Sequence, residues 1–413
     1  MPLRAGIVVT GTEVLSGTIA DRNGPWLSEQ LRDRGIQLAH VLITGDRPDD
    51  LRDALAFFAG VDLVITSGGL GPTADDLTAE IVASYAGRPM EFDPELSERI
   101  WARVMSVRSR LASATEDALR EGARKQAFVP AGAAVLEPVG TAPGLLVGTD
   151  GPLIVVLPGP PRELQTMWET AVVTAPLSDL LARAGHFEQR MLRFYGLPEP
   201  QIAETLRTID PPSSLEITTC LRRGELEVAT VFDSADAPAY DAFAAAVRER
   251  HADTLFSPEG ATIDEIVARQ LTGRTIATAE SCTGGLMAGR LTDLAGSSAY
   301  VLGGLVVYSN EAKTALAGVP ASVIETHGAV SPEVARALAA GARERLGADV
   351  GIGITGIAGP GGGTREKPVG TVCLAVSTSG DLLEQTVHLP GGRADVRERT
   401  TTVGMHMLRR LLT

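Results

Sequence analysis

The chain has 413 residues, 44% hydrophobic and only 4% aromatic, with a formal net charge of -14 at pH 7. At roughly 100–200 residues per domain this suggests two or three domains, and the acidic balance provides no general electrostatic attraction to nucleic acid. Three scattered cysteines (Cys220, Cys282, Cys373) fit neither a disulfide framework nor a zinc pair. The N-terminus does not read as a signal peptide, and no apolar run reaches the roughly 18 residues of a membrane span, so a reducing, cytoplasmic setting is expected.

The first segment, residues 1–174, opens with the apolar run Ala5–Thr10, which predicts a buried strand ending at Gly11. Trp26, Leu27 and Leu31 share one helical face, with Gly35 as the stop. Gln37–Thr44 reads as a strand, Arg52–Ala59 as a helix, and Asp62–Ser67 as a buried strand closed by Gly68-Gly69. Strands alternating with helices predict a parallel sheet covered on both faces. Such sheets hold ligands at the carboxyl ends of their strands. Polar loops fall at those ends: Gly11–Asn23, Gly45–Asp50, Ser67–Glu80 and Pro158–Glu163.

The second segment, residues 175–257, predicts a small α+β module. Met191–Tyr195, Leu215–Thr219 and Glu225–Phe232 are strand-like, and Gln201–Leu206 and Ala239–Glu249 are helical. It carries no dense cluster of chemical residues. The third segment, residues 258–413, starts with Thr262-Ile-Asp-Glu265 in capping-box spacing. Strands are expected at Thr275–Ala279, Tyr300–Tyr308, Asp349–Thr355 and Gly370–Ser377. Ser331-Pro332 opens a helix that runs to Gly347. The fold class expected is α/β: two α/β domains joined by a small α+β module.

In the third segment, Thr278–Gly285 (TAESCTGG) leaves a strand and leads into a helix over Leu286–Leu294. Ser281 therefore sits at a strand-to-helix turn, where a sheet enzyme exposes a nucleophile. Thr283, Gly284 and Gly285 permit close approach of backbone N–H groups to a phosphate or an oxyanion, beside a helix N-terminus. A serine nucleophile needs a base. The base candidate is Lys313 in Tyr308–Lys313 (YSNEAK): burial would disfavour its charged form, and Tyr308 is placed to share or relay the proton. Cys282 is the rival nucleophile, with no clear activating base. The plain alternative is a packed glycine turn and an unrelated lysine at a helix start.

In the first segment, Ser67–Glu80 places Asp75, Asp76 and Glu80 after a glycine turn containing Gly69, Gly71 and Thr73. Asp76 and Glu80 share a face if the helix has begun. The glycines suit a phosphate and the carboxylates a hard cation, with Glu13, Asp21 and Asp46 on neighbouring loops. Helix capping by acidic residues is the equally simple alternative.

Five stretches in order, Ala279–Gly285, Tyr308–Lys313, His327–Ser331, Ile354–Gly363 and Glu366–Val372, resemble the C-terminal domain of the CinA family over about Ile263 to Leu412. That domain is shared with nicotinamide mononucleotide amidohydrolases. The resemblance implies hydrolysis of nicotinamide mononucleotide to nicotinic acid mononucleotide and ammonia, without a metal. Ser281 would be the nucleophile, Lys313 the base and Tyr308 its assistant. Thr283, Gly284 and Gly285 would hold substrate or oxyanion, Asn310, Thr355 and Gly356 would line the pocket, and Arg393 or Arg397 would bind the 5′-phosphate.

Gly11–Gly17, Ser67–Thr78, Val139–Gly144 and Leu157–Glu163 resemble the molybdopterin-binding fold, and more closely the N-terminal domain of the same family. This implies cleavage of ADP-ribose, or a related dinucleotide, to AMP and ribose 5-phosphate with a divalent metal (Mg, Mn or Co) and, in some members, potassium. Residues 175–257 would then be the family's KH-like linker domain. That segment has no GxxG loop, so direct nucleic-acid binding is not expected. The resemblance also implies a homodimer. The alternatives are a pterin- or nucleotide-binding module in place of the pyrophosphatase, or an interaction protein of competence and recombination.

Overall fold

The computed structural model describes residues 3–106 and 115–413. Two compact units are present, one formed mainly by residues up to Glu188 and one mainly by residues from Gln189 onward.

The first unit contains β1 (Arg4–Thr10), α1 (Thr12–Leu15), α2 (Asn23–Arg32), β2 (Gln37–Thr44), α3 (Pro48–Phe57), β3 (Leu63–Ser67), α4 (Thr78–Tyr85), β4 (Met90–Phe92), α5 (Pro94–Ser106), α6 (Glu116–Gln126), β5 (Phe128–Pro130), β6 (Ala134–Leu136), β7 (Gly144–Val147), β8 (Leu153–Leu157), α7 (Pro161–Ala171) and α8 (Leu177–Leu181). Its six-stranded sheet runs β2-β1-β3-β8-β7-β6, while β4 and β5 form a separate ribbon. The sheet is parallel from β2 to β8, but β7 and β6 are antiparallel, so the expected all-parallel sheet holds for four strands only. β7 and β8 are separated by too short a connection for a helical crossover, which leaves antiparallel pairing as the available arrangement. β3 and β8 are buried throughout, as apolar strands covered on both faces must be. One core face gathers Val8, Val64 and Val156, and the other Ile7, Ile65 and Val155.

The second unit contains most of β9 (Phe187–Tyr195), then α9 (Glu199–Ile209), β10 (Glu216–Arg222), β11 (Glu225–Asp233), α10 (Ala237–Arg250) and β12 (Leu255–Ser257), followed by α11 (Ile263–Gln270), β13 (Ile276–Glu280), α12 (Leu286–Thr292), β14 (Val301–Val306), α13 (Asn310–Ala317), α14 (Ala321–His327), α15 (Pro332–Leu346), β15 (Val350–Gly356), β16 (Thr371–Ser377), β17 (Leu382–His388) and α16 (Arg393–Leu412). A four-stranded sheet runs β10-β11-β9-β12 and a five-stranded sheet runs β14-β13-β15-β16-β17. In the larger sheet β14, β13 and β15 are parallel and β16 and β17 antiparallel. The carboxyl ends of the three parallel strands therefore meet at one edge.

Local chemistry sets the helix starts. Thr262 and Glu265 close a reciprocal capping box on α11, and the Ser331 hydroxyl accepts from Val334 N–H ahead of Pro332 on α15. Glycine in the left-handed region ends α15 at Gly347 (φ 66°). Among the described residues no helix is long and apolar enough to cross a membrane.

Candidate active sites

In the five-stranded sheet, Glu280 is the last residue of β13 and pairs with Val306 of β14 and Ile354 of β15. The turn after β13 thus begins beside the ends of both neighbours. Ser281 N–H donates to the Ile354 carbonyl at 2.9 Å, and the serine is buried. The turn closes through Gly284 (φ 60°) and Gly285 (φ 94°), a backbone shape that a side chain would strain.

Gly284 and Gly285 do not offer the free donors expected of them. Gly284 N–H goes to the Ser281 carbonyl at 3.2 Å, and Gly285 N–H to Glu280 Oε2 at 3.0 Å. Met287 N–H also donates to Oε2 (3.0 Å), and Ala288 N–H (2.8 Å) and the Thr278 hydroxyl (3.1 Å) donate to Oε1. The start of α12 is therefore closed by a carboxylate of the protein itself, and the expected anion site at that helix end is filled. Nothing in the residue spacing signalled Glu280, because a strand-end acid reaching forward to a helix start has no periodicity.

Lys313 lies in α13, with its side chain buried and its Nζ donating to the Tyr308 carbonyl at 3.0 Å. Burial lowers its pKa from the ordinary lysine value, opposed by the negative charges that Cys282 and Glu311 would carry. Tyr308 is linked to Lys313 through its main chain. Its phenol is exposed and accepts from Arg393 Nη2 at 3.4 Å. Cys282, also buried, has its thiol pushed up to about 11 by burial, which leaves it protonated near neutrality.

The two candidate arginines sit in the first turns of α16 and differ in what they touch. Arg393 is exposed, and its Nη1 reaches the Gly359 carbonyl at 3.0 Å. Arg397 is half-buried and faces the serine turn, with Nε on the Cys282 carbonyl (3.1 Å) and Nη2 on the Thr283 carbonyl (2.8 Å). Thr355 donates to the Ala329 carbonyl at 2.7 Å, and Gly356 packs so closely that a Cβ would meet the Thr371 carbonyl at 2.9 Å. Asn310 is exposed at the start of α13. Lys367, not singled out from sequence, ties the His327 and Val330 carbonyls at 3.1 and 2.7 Å and so joins two of the sequence motifs.

In the first unit, a cavity of about 350 Å³ at the carboxyl ends of β1, β3 and β8 is lined by Glu13, Asp46, Gly69, Gly71, Asp75 and Asp76, together with Glu163. Asp46 accepts from Thr12 N–H (3.0 Å) and its hydroxyl (2.7 Å). Thr73 N–H donates to Asp76 at 2.9 Å, and the Thr73 hydroxyl bridges Asp75 and Asp76. The Thr73 hydrogen bond, the backbone and Lys125 hold the Asp75 carboxyl below its usual range. Lys125 clamps this loop through the carbonyls of Thr73 and Asp76. Burial raises the pKa of Glu163, against the pull of Arg103. Glu163 was not singled out from sequence because its loop reads as a proline turn. A larger recess of about 720 Å³, between Val61, Gly148, Leu153 and Arg183, lies at the other end of the strands and holds none of the motif residues.

Asp21 and Glu80 lie outside the carboxylate-lined cavity. Asp21 accepts from Asn23 and Gly24 N–H at 2.9 and 3.0 Å at the start of α2, the capping role weighed against cation binding. α4 begins at Thr78, so Asp76 precedes the helix and does not share a helical face with Glu80, although both border a small adjoining recess. Among the described residues no three Asp, Glu, His or Cys side chains are gathered as a metal cage. The cavity carboxylates are hard oxygen donors, the type that suits a cation arriving with a phosphate and needing only one or two protein ligands.

Residues 261–412 match the family model of the CinA C-terminal domain, and residues 6–178 match that of a probable molybdopterin binding domain. A CinA-like protein of Mycolicibacterium gilvum (strain PYR-GCK) is 56% identical over 420 residues, covering 100% of this chain and 99% of its own. A CinA-like protein of Mycobacterium tuberculosis (strain ATCC 25177 / H37Ra) is 54% identical, covering 99% and 97%. The solved structure of the competence/damage inducible protein CihA from Agrobacterium tumefaciens is 44% identical over 37% of this chain and 96% of its own, with a TM-score of 0.36. Similarity to named relatives along the whole chain, together with the two family matches, places this chain in the CinA family.

Proposed function

We propose that the second unit hydrolyses the amide of nicotinamide mononucleotide, releasing nicotinic acid mononucleotide and ammonia. The observation that carries this reading is a buried lysine with a lowered pKa in the helix that follows β14, the strand paired with β13, after whose last residue the buried Ser281 stands. Neutral Lys313 takes the Ser281 hydroxyl proton as Oγ bonds to the amide carbon. Collapse of the tetrahedral intermediate breaks the C–N bond, and the Lys313 proton leaves with ammonia. Water then attacks the acyl carbon and gives one proton to Lys313, Ser281 regains it as the C–Oγ bond breaks, and the released acid gives its remaining proton to the ammonia or to solvent. Arg393, exposed beside Tyr308, is the arginine suited to the 5′-phosphate, because it is open to solvent whereas Arg397 is half-buried against the serine turn.

For the first unit the proposed reaction is cleavage of the pyrophosphate of ADP-ribose or a related dinucleotide. The supporting observation is the cavity lined by Glu13, Asp46, Asp75 and Asp76 against Gly69 and Gly71. A divalent cation held there would polarise the pyrophosphate. The protein's part is to present the carboxylates and to hold the glycine turn through Thr73 and Lys125. The match to a probable molybdopterin binding domain favours a second reading, a binding module without hydrolase activity.

One experiment tests all of these readings. The full chain is incubated separately with nicotinamide mononucleotide and with ADP-ribose plus magnesium, manganese or cobalt, and the products are identified. A Ser281→Ala protein that still releases ammonia removes the serine mechanism. Absence of AMP with every metal leaves the binding module.

A further inference from the structure

Three strands of the small sheet β10-β11-β9-β12 converge on one residue of the last helix. His406 of α16 has no exposure, and its Nε2 lies 2.6 Å from Oε1 of Glu225, a buried carboxylate at the start of β11. The ring stacks on Tyr195 of β9 at 3.7 Å and meets Phe256 of β12 edge-on at 4.7 Å. His406 Nδ1 is buried without a partner, so Glu225 alone holds the imidazole by a hydrogen bond. α16 also packs through Val396, Val403 and Met407 into the core that contains Ile276, Ile352 and Leu374 of the five-stranded sheet.

The same hairpin touches α16 a second time. Arg222 pairs with Glu225, so the turn is Arg223-Gly224, with φ 54° and 89°. A two-residue turn of this hand usually takes asparagine, aspartate or glycine first, and an arginine there sits against its backbone preference. The side chain gives a reason: Arg223 Nε donates to Glu398 Oε1 at 3.0 Å. Glu398 follows Arg397, whose guanidinium holds the Cys282 and Thr283 carbonyls. Glu398 and His406 flank Thr400, Thr401 and Thr402, which are poor helix formers. The Thr400 hydroxyl bonds back to the Val396 carbonyl at 2.6 Å, a contact that tends to bend a helix. The hairpin therefore grips α16 on both sides of its weakest stretch, at points about 12 Å apart along the axis.

We propose that the end of the β10–β11 hairpin is a clamp on α16, in which Glu225 and Arg223 are positioning residues that keep Arg397 on the serine turn. The inference rests on the deamidase reading. It gives the small module, which carries no cluster of chemical residues, a task in the reaction. With Glu398 and His406 both held, a bend at the threonines does not carry the first turns of α16 away from Cys282 and Thr283.

The test compares wild type, Ser281→Ala, Arg223→Asn, the charge swap of Arg223→Glu with Glu398→Arg, and Glu225→Ala beside Glu225→Gln. Ammonia release from nicotinamide mononucleotide gives kcat and KM, melting gives stability, and hydrogen–deuterium exchange reports on residues 393–402. Asparagine suits the turn but is too short to reach Glu398. Arg223→Asn is therefore expected to melt no lower than wild type, yet to lose kcat about threefold with KM little changed and to exchange faster in α16. The charge swap should restore both. Glu225→Ala is expected to lose kcat about tenfold, and Glu225→Gln, whose side-chain carbonyl still accepts from Nε2–H, to recover most of it. If Glu225→Ala does not fold, Arg223→Asn and the swap carry the test. Wild-type kcat and exchange in Arg223→Asn, or a loss that the swap does not restore, overturn the inference, with Ser281→Ala inactive showing that the deamidase reading stands. If wild type releases no ammonia, that reading fails, and exchange alone decides the clamp: wild-type rates in Arg223→Asn overturn it.

Discussion

Lys313 Nζ lies 3.0 Å from the main-chain carbonyl of Tyr308, and the lysine is only 2% exposed. A carbonyl can accept from a neutral amine as well as from an ammonium, so this contact does not require Lys313 to be charged. In the proposed mechanism the reacting form is the neutral amine, and burial lowers the pKa from 10.5. The expected kcat/KM for ammonia release therefore rises with pH and levels off below the range where an ordinary lysine titrates. A pH–rate profile checks this, and Lys313→Arg should abolish the rise together with the activity.

The same burial implies a trade between activity and stability. With its folded-state pKa lowered, Lys313 binds fewer protons in the native than in the unfolded chain, so its contribution to stability rises with pH up to 10.5. Lys313→Met is expected to be inactive and more stable by about 1 kcal/mol near neutral pH. Denaturant melts at neutral and alkaline pH should show the gain shrinking as pH rises.

Arg393 and Arg397 should separate kinetically. Arg393→Ala is expected to raise KM for nicotinamide mononucleotide about tenfold or more while leaving nicotinamide riboside, which lacks the phosphate, little affected. Arg397→Ala should lower kcat for both, because the Cys282 and Thr283 carbonyls lose their partner. Equal effects of Arg393→Ala on the two substrates would remove it from phosphate binding.

The cysteines should react in a fixed order. Cys220 is exposed, while Cys282 and Cys373 are buried with thiols pushed up by burial. Iodoacetamide at neutral pH should modify Cys220 first and leave ammonia release intact. Peptide mapping by mass spectrometry gives the order.

Metal removal should divide the two proposed activities. EDTA is expected to stop ADP-ribose cleavage and spare ammonia release, and Asp76→Asn should reduce only the former, by about 10-fold or more. Product analysis on a single preparation checks both.

The sequence was most informative where a local pattern decides the structure. Thr262 with Glu265, and Ser331 with Pro332, carry their caps in the spacing alone. The strand-end position of Ser281 follows from an apolar run meeting paired glycines. α16 was not read as a helix, because Thr400, Thr401 and Thr402 are poor helix formers in its middle and burial around them compensates. The antiparallel partners at the sheet edges were missed because periodicity records which face is buried and not strand direction. The roles of Glu280 and Arg397 depend on contacts between a side chain and a distant or reversed stretch of backbone, which spacing does not encode.

α16 also fixes when the serine turn can be completed. Synthesis delivers the chain N-terminus first. Ser281, Tyr308 and Lys313 therefore emerge long before Arg393 and Arg397, which come from the last helix. A nascent chain that has not yet released α16 carries Ser281 and Lys313 but lacks the Arg397 guanidinium that holds the Cys282 and Thr283 carbonyls. In the proposed mechanism the serine turn therefore reaches its working shape only after α16 has been made and packed.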